Sequence, residues 1–426
     1  MRDLARRRRT RLAVPAVLTA AVLVMSACGG DDDSDEGGSA GESGGNASDL
    51  LGPEDAAAGD PVKIGWVSTG QTQAIDTSDE IAAAEAVVAY ANERLGGIGG
   101  RPIELVICED ENTPAGAQAC GNEFIAEDVA AVAAGTTGQI DGVLQTVAPA
   151  GVPAGVNLVS SQVALSTPGV FVWSNPVSAY GVPAAYAREE GIDSAAVIVI
   201  DVPGASGPAK ALAPALFANA DSAATVVPIP PGTPDMTPQV QAAEEDDPGM
   251  YYLLGDPTFC TSALQAIRAL GIDKPVVALD RCIGPDAGAG IPGGWEGVQI
   301  ISQSVQEPDD EEYQLFEAVL DEYGDGLEPT PQSISGFQGM LSMVRAVNAS
   351  ETTDLTAPGI LAAIQAMPAT PYPVGGGAEF QCNGQALPDL SPNICSTAGF
   401  IADADAEAAL SNFRVLDTEG IYEIGG

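Results

Sequence analysis

Histidine is absent from all 426 residues. It is the usual general base near neutral pH and a common metal ligand, so its absence excludes Ser-His-Asp and Cys-His catalysis and His-bound metals together. Lysine is nearly as scarce. Only Lys63, Lys210 and Lys274 occur, and none stands in a phosphate-loop context. Aromatic residues make up 5% of the chain, and the seven cysteines include no C-x-x-C pair, which argues against zinc. What is abundant is acid. Asp and Glu number 59 against 16 Lys and Arg, for a formal net charge of −43. The first 27 residues hold six of those basic residues, so their removal leaves a still more acidic chain. A nucleic acid duplex would be repelled by such a surface, and nucleic acid is excluded as a partner. The excess acid reads as a solvated surface. With 45% hydrophobic residues, 50 Gly and 32 Pro, the composition suits a soluble α/β protein of two lobes.

The amino terminus reads as an export signal. Arg6 to Arg9 and Arg11 form a positive region, followed by the apolar run LAVPAVLTAAVLV (12–24), too short to span a bilayer comfortably. Met25-Ser26-Ala27-Cys28 resembles the lipobox of bacterial lipoproteins. That resemblance implies removal of 1–27 and lipidation of Cys28 as the new amino terminus. Residues 28–61 are an acidic Gly/Ser tract without apolar periodicity and are predicted to be a disordered tether, its coil reaching roughly 30 Å. GGSAG and GESGG within it fit G-x-S-x-G, but no strand precedes them, so they are not nucleophile elbows.

Setting Cys28 aside leaves Cys108, Cys120, Cys260, Cys282, Cys382 and Cys395. Six cysteines allow fifteen pairings. Sequence proximity favours 108–120, 260–282 and 382–395, each closing a short loop worth roughly 3 kcal/mol in the chain-entropy model.

From Val62 onward, short apolar runs alternate with amphipathic stretches. VKIGWVS (62–68) reads as a strand, then a helix carries Ile81, Ala84, Val88, Ala91 and Leu95 on one face. RPIELVICED (101–110) is a strand, 117–126 a helix, and 129–134 a short buried strand broken by Gly135. A helix over 140–147 and a strand at VNLV (156–159) complete a βαβ unit, which places Thr137, Gln139, Ser160, Ser161 and Gln162 at one sheet edge. The alternation continues with strands at 195–201, 224–230, 250–256 and 275–280, helices at 207–219, 237–245 and 258–270, and then 298–305. These strands predict a second parallel sheet. Helices near 310–323, 332–348 and 357–366 follow, then a Pro/Gly-rich segment. GAGIPG (288–293) satisfies G-x-G-x-x-G, but Pro292 makes it a loop. Glu109 and Asp110 are adjacent at a strand end and point to opposite faces, which favours a loop-start turn over a glycosidase pair.

The run ANERLGGIGGRPIELVICEDENTPAGAQACGNEFIAEDVAAVAAG resembles the opening of the type I periplasmic binding proteins of the branched-chain amino acid (Leu/Ile/Val) ABC-transporter family. The resemblance rests on the strand-1 "IG" phrase, "GGI-x-GR-x-IEL", Glu109-Asp110 and "V-x-x-V-x-x-G", and extends more loosely from Val62 to the end. It implies an α/β fold of two doubly wound lobes joined by three crossings. The expected parts are 62–176 (lobe 1), 177–304 (lobe 2), 305–368 (return to lobe 1) and 369–426 (return to lobe 2). In that family a Ser after strand 3 and a Thr after strand 4 hold the ligand α-carboxylate, and a lobe-2 acid holds the ammonium. Here Gln139 falls at that Ser, Ala164 near that Thr, and Asp280/Arg281 at the acid, while Pro203-Gly204 replaces an aromatic. The clamp is incomplete, and a ligand other than a plain aliphatic amino acid is allowed.

The ligand-binding candidates are Trp66, Gln71, Thr137, Gln139, Ser160, Ser161 and Gln162 from lobe 1, Tyr180 at the first crossing, and Asp201, Asp256 and Arg281 from lobe 2. The resemblance implies a lipid-anchored monomer on the outer face of the cytoplasmic membrane that passes an amino acid, amide or carboxylate to an ABC permease. It implies no enzymatic activity, cofactor or metal. A ligand-sensing lipoprotein that signals to a membrane partner is the alternative. An extracellular hydrolase is a third reading, disfavoured by the missing histidine.

Overall fold

The computed structural model describes residues 50–424 apart from positions 74, 158, 160, 285 and 286. The export signal, Cys28 and Ser160 therefore lie outside the described residues, as does residues 28–49 of the predicted tether. Residues 50–61 are mostly exposed but touch lobe 1 at several points. Leu51 is buried, Asp55 N–H donates to the Glu93 carbonyl at 3.0 Å, and Arg101 Nε donates to the Asp60 carbonyl at 2.6 Å. These anchors are mainly backbone hydrogen bonds, which no side-chain periodicity announces.

Lobe 1 is built on five parallel strands: β1 Val62–Ser68, β2 Ile103–Glu109, β3 Ala131–Ala134, β4 Ala154–Val156 and β5 Val170–Val172. Their spatial order is β2-β1-β3-β4-β5, so strand order reverses between β1 and β3. Ligands of open α/β sheets bind beyond the carboxyl ends at such a switch point. β3 (AVAA) is buried throughout, as a parallel strand covered on both faces must be. Helices α1 Ser78–Arg94, α2 Pro114–Ala126, α3 Ile140–Val147 and the short α4 Gln162–Ser166 connect the strands. The buried face of α1 comprises Ala83, Ala84, Val87, Tyr90, Ala91 and Glu80, while Ile81, Val88 and Leu95 are only half-buried. The predicted stripe is therefore rotated. Small residues face inward because α1 packs against a second long helix as well as the sheet.

Lobe 2 holds β6 Ser194–Ile200, β7 Ala223–Ile229, β8 Met250–Leu254, β9 Val276–Leu279 and β10 Val298–Ser302, connected through α5 Ser178–Glu190, α6 Pro203–Asn219, α7 Thr237–Glu244 and α8 Pro257–Ala269. These five strands are parallel to one another. After β10 the chain returns to lobe 1 as α9 Glu311–Tyr323, α10 Pro331–Asn348 and α11 Ala357–Ala366. α10 is the helix that packs on α1. Gly336 permits the contact, since a methyl there would approach the Glu80 carbonyl carbon at 2.9 Å.

The final crossing comes later than composition suggests. A hairpin of β11 Thr370–Pro371 and β12 Glu379–Phe380 stays on lobe 1, where Phe380 lies edge-on to Trp173 at 5.9 Å and to Tyr372 at 6.0 Å. Cys395 N–H then donates to the Val172 carbonyl at 2.9 Å, which sets this segment beside β5. Only β13 Phe400–Ala404 and β14 Leu410–Val415 join lobe 2, antiparallel, giving the order β14-β13-β10-β9-β8-β6-β7. The boundary expected at 369 thus falls near 396–399, because buried aromatics hold the Pro/Gly-rich stretch against lobe 1. The chain accordingly crosses between lobes near 173–177, 303–310 and 396–399, between elements of different sheets.

Disulfides join Cys108 to Cys120, Cys260 to Cys282 and Cys382 to Cys395, with Cα separations of 5.5, 5.5 and 4.3 Å. The first ties the end of β2 to α2, and the second ties α8 to the turn that follows β9.

Candidate functional site

A cavity of about 810 Å³ is lined by residues of both lobes and of the second crossing. Its lobe-1 wall is the turn after β3, Gly135, Thr136 and Thr137, with Asn157 and Val159 beyond β4. This turn is fastened from behind. Thr136 N–H donates to Glu80 Oε2 at 2.7 Å and Thr136 Oγ1 to Oε1 at 2.9 Å. Thr137 Oγ1 donates to Asp110 Oδ2 and accepts from Gln139 N–H at 2.9 Å. Gly138 N–H donates to Asn112 Oδ1 at 3.2 Å. Asp110 is buried and its other oxygen accepts from Asn112 N–H at 2.8 Å, so it closes a loop-start turn. Glu80 is fully buried on α1. Burial pushes its pKa up, opposed by hydrogen bonds from Ser335 and Thr136.

The floor is the second crossing and the amino-terminal half of α10. Ser302, Gln303, Ser304 and Gln306 line it, with Ile334, Ser335 and Gln338 from the helix. A polar chain fixes these parts. Tyr372 Oη donates to Asn157 Oδ1 at 2.8 Å, Asn157 Nδ2 to Gln338 Oε1 at 3.2 Å, and Gln338 Nε2 to the Gln303 carbonyl at 3.2 Å. A side chain beyond β4 is thereby tied to the crossing through a connected polar network.

The lobe-2 wall combines one charged turn with apolar side chains. Asp280 and Arg281 occupy a single 3₁₀ turn after β9, and Ile283, Leu410 and Phe413 flank them. Cys282, next in the chain, is disulfide-bonded to α8, so the turn has a covalent anchor. Asp280 Oδ1 accepts from Arg281 N–H at 2.6 Å. Burial pushes the Asp280 pKa up, and the hydrogen bond and the Arg281 charge pull it back. The Arg281 guanidinium is exposed and has no hydrogen bond or ion pair among the described residues.

Of the residues predicted from sequence, Thr137 and Arg281 line this cavity. Gln139 stands at the N-cap position of α3 without a side-chain capping bond and does not line the cavity. Ser161 caps α4, accepting from Ala164 N–H at 3.0 Å and donating to Asp141 at 2.5 Å; Gln162 begins that helix and is exposed. Tyr180 is half-buried in α5 close to Arg281, whose charge opposes the burial that raises its pKa. Trp66 is wholly buried in the lobe-1 core and presents no surface to a ligand, because its strand is covered on both faces. Gln71 pairs with Asp76 at 2.8 Å, Asp201 accepts from Ser206 at 2.7 Å, and Asp256 caps α8 by accepting from Phe259 N–H at 2.9 Å; none of these lines the cavity. Reading strand ends missed the floor: Gln303, Gln306, Ser335 and Gln338. The available signal was the cluster of Gln and Ser in SQSVQ (302–306), directly after an apolar strand.

Residues 61–391 match the family model described as periplasmic binding protein. No curated protein sequence matches the chain. Among solved structures, the chain is similar to an ABC transporter substrate-binding protein of Desulfitobacterium hafniense in complex with Leu, at 18% identity, TM-score 0.64, covering 84% of this chain and 100% of that one. It is similar to a solute-binding protein of an ABC transporter of R. palustris in complex with 4-hydroxybenzoate, at 19% identity, TM-score 0.61, covering 85% and 99%. It is also similar to a fatty acid ABC transporter substrate-binding protein of Thermomonospora curvata, at 16% identity, TM-score 0.62, covering 87% and 97%. At these identities the likeness is one of fold.

Proposed function

Because the chain belongs to the periplasmic binding protein family, we propose that it is the solute-binding component of an ABC importer, tethered by lipid on Cys28 outside the cytoplasmic membrane. The observation that carries this reading is the cavity shared by both lobes and the second crossing, whose walls combine neutral polar groups, apolar side chains and the Asp280–Arg281 turn. Such a site grips a small solute with a polar end and an apolar body. A solute that touches both walls binds the closed arrangement more tightly than the open one and shifts the population accordingly. A permease then reads the closed form. Nothing in this role requires turnover, and the buried acids Glu80 and Asp110 act as fasteners of the rim turn.

The test is a thermal-shift screen of amino acids, amides, aromatic acids and aliphatic acids on the folded chain. A true ligand at 100 times its Kd adds roughly 2.7 kcal/mol of stability, a readily measured shift. A comprehensive library without a single shift would contradict the reading. For the anchor, radiolabelled fatty acid is expected to enter the wild-type chain in bacteria and not Cys28→Ser; equal labelling would refute lipidation at that cysteine.

A further inference from the structure

Among the described residues, the lobe-1 rim offers an anion few free donors. The Thr136, Thr137 and Ser161 hydroxyls each donate to a carboxylate of the protein itself, on Glu80, Asp110 and Asp141. The backbone N–H groups of Thr136, Gly138 and Gln139 are likewise engaged by side chains. Their donors are used, and acid stands behind them. A ligand carboxylate placed there would find these donors already occupied.

Across the cleft the situation is reversed. Arg281 is the one cation among the described residues that line the cavity. Its guanidinium has no hydrogen bond or ion pair among the described residues, although acids outnumber bases by more than three to one in this chain. Lys63, Arg94, Arg188, Lys274, Arg345 and Arg414 are ion-paired, and Arg101 and Arg268 donate to backbone carbonyls; of the two described side-chain cations left open, Lys210 lies away from the cavity and Arg281 lines it. An arginine left open beside Ile283, Leu410 and Phe413 offers a planar fork for a carboxylate next to an apolar surface. Asp280 is the remaining acid of that wall. One of its oxygens already accepts the Arg281 N–H, and burial disfavours its ionised form, so it is a weak partner for a ligand ammonium.

We infer that the solute is a carboxylic acid with an apolar body and no ammonium group, anchored by its carboxylate to Arg281 on lobe 2. This inference rests on reading the cleft as a solute site and names the class of solute. It inverts the arrangement that the resemblance implies, in which lobe 1 holds the carboxylate.

The test is calorimetric titration of the folded chain with 4-hydroxybenzoate, 4-methylpentanoate, leucine and 4-hydroxybenzamide. The variants are Arg281→Gln, Arg281→Lys and, as a control far from the cleft chemistry, the exposed Lys210→Gln. At least one of the two acids is expected to bind, with leucine and the amide weaker by on the order of a hundredfold. Arg281→Gln should lose a similar factor with an unchanged melting temperature, Arg281→Lys should lose less, and Lys210→Gln should match the wild type. Tight leucine binding, amide binding equal to the acid, or undiminished affinity in Arg281→Gln overturns the inference and leaves the receptor reading standing. Silence from all four compounds also overturns it, and the wider thermal-shift library then decides the receptor reading separately.

Discussion

Gly336→Ala probes the contact that sets α10, and with it the floor of the cleft, against α1. The new methyl would overlap the Glu80 carbonyl oxygen and approach Glu80 C at 2.9 Å and Cα at 3.0 Å. These are backbone atoms and cannot swing aside, so the helices must separate. Overpacking of this kind costs about 1–3 kcal/mol. Replacing glycine in a helix interior recovers about 1 kcal/mol of propensity, which leaves a net loss of about 2 kcal/mol at the upper end of that cost, where overlap with a fixed backbone oxygen belongs. The comparison is Gly204→Ala in α6, where nothing lies within 4 Å of the new methyl. There only backbone entropy acts, and a gain of about 0.4–1 kcal/mol is expected. Urea unfolding followed by tryptophan fluorescence reads both cores, since Trp66 and Trp173 are buried in lobe 1 and Trp295 is buried beside β10 in lobe 2; a Trp295→Phe background restricts the signal to lobe 1. The expected midpoint order is Gly204→Ala above wild type and Gly336→Ala below it. Separation of the helices also displaces Ser335 and Gln338, so solute affinity should fall in Gly336→Ala alone. A Gly336→Ala midpoint equal to or above wild type would refute the packing argument.

Further outcomes follow from the same geometry. Replacing Cys260 and Cys282 together by serine opens a loop of sequence separation 22 and should lower stability by roughly 3 kcal/mol; solute affinity should fall with it, because the turn carrying Asp280 and Arg281 loses its anchor. Unchanged affinity by titration would show that the turn holds itself. Glu80 has a folded-state pKa above its ordinary value. Above that ordinary value the native state therefore binds more protons than the unfolded state, and stability falls as pH rises toward the folded pKa. Urea titrations across that interval should show this slope reduced in Glu80→Gln, and identical slopes would contradict it. Gln338→Leu removes the donor to the Gln303 and Pro373 carbonyls, at 3.2 and 3.1 Å, from a buried site. It should cost about 1–3 kcal/mol, read by urea midpoint; a neutral result would argue against the polar chain at the crossing.

The βα alternation was legible because apolar runs of strand length and helices with caps are local features. The 331–348 helix, for example, begins with Thr330 and Ser333 in a reciprocal capping box. Disulfide partners close in sequence were legible for the same reason. The rim was only half legible. Strand-end logic led to Thr137 and Arg281, but it could not tell that Thr137 is bound to Asp110 and Thr136 to Glu80, since those pairs join distant segments. Nor could it reveal that Trp66 faces α10, where Gly339 would bring a methyl within 3.2 Å of its ring. The late third crossing was hidden in a stretch without periodicity, where Tyr372 and Phe380 select lobe 1 by packing on Trp173 and each other. Local pattern specifies elements; which lobe an irregular segment serves is decided by contacts made after the elements assemble.

The most direct test of the central claim, that a small solute bound in the shared cleft draws the lobes together, is small-angle scattering of the chain with and without a saturating ligand identified by the thermal-shift screen. A smaller radius of gyration is expected in the bound form, with the solute recovered chemically unaltered. An unchanged radius at saturation, or a solute returned as a different compound, would contradict it.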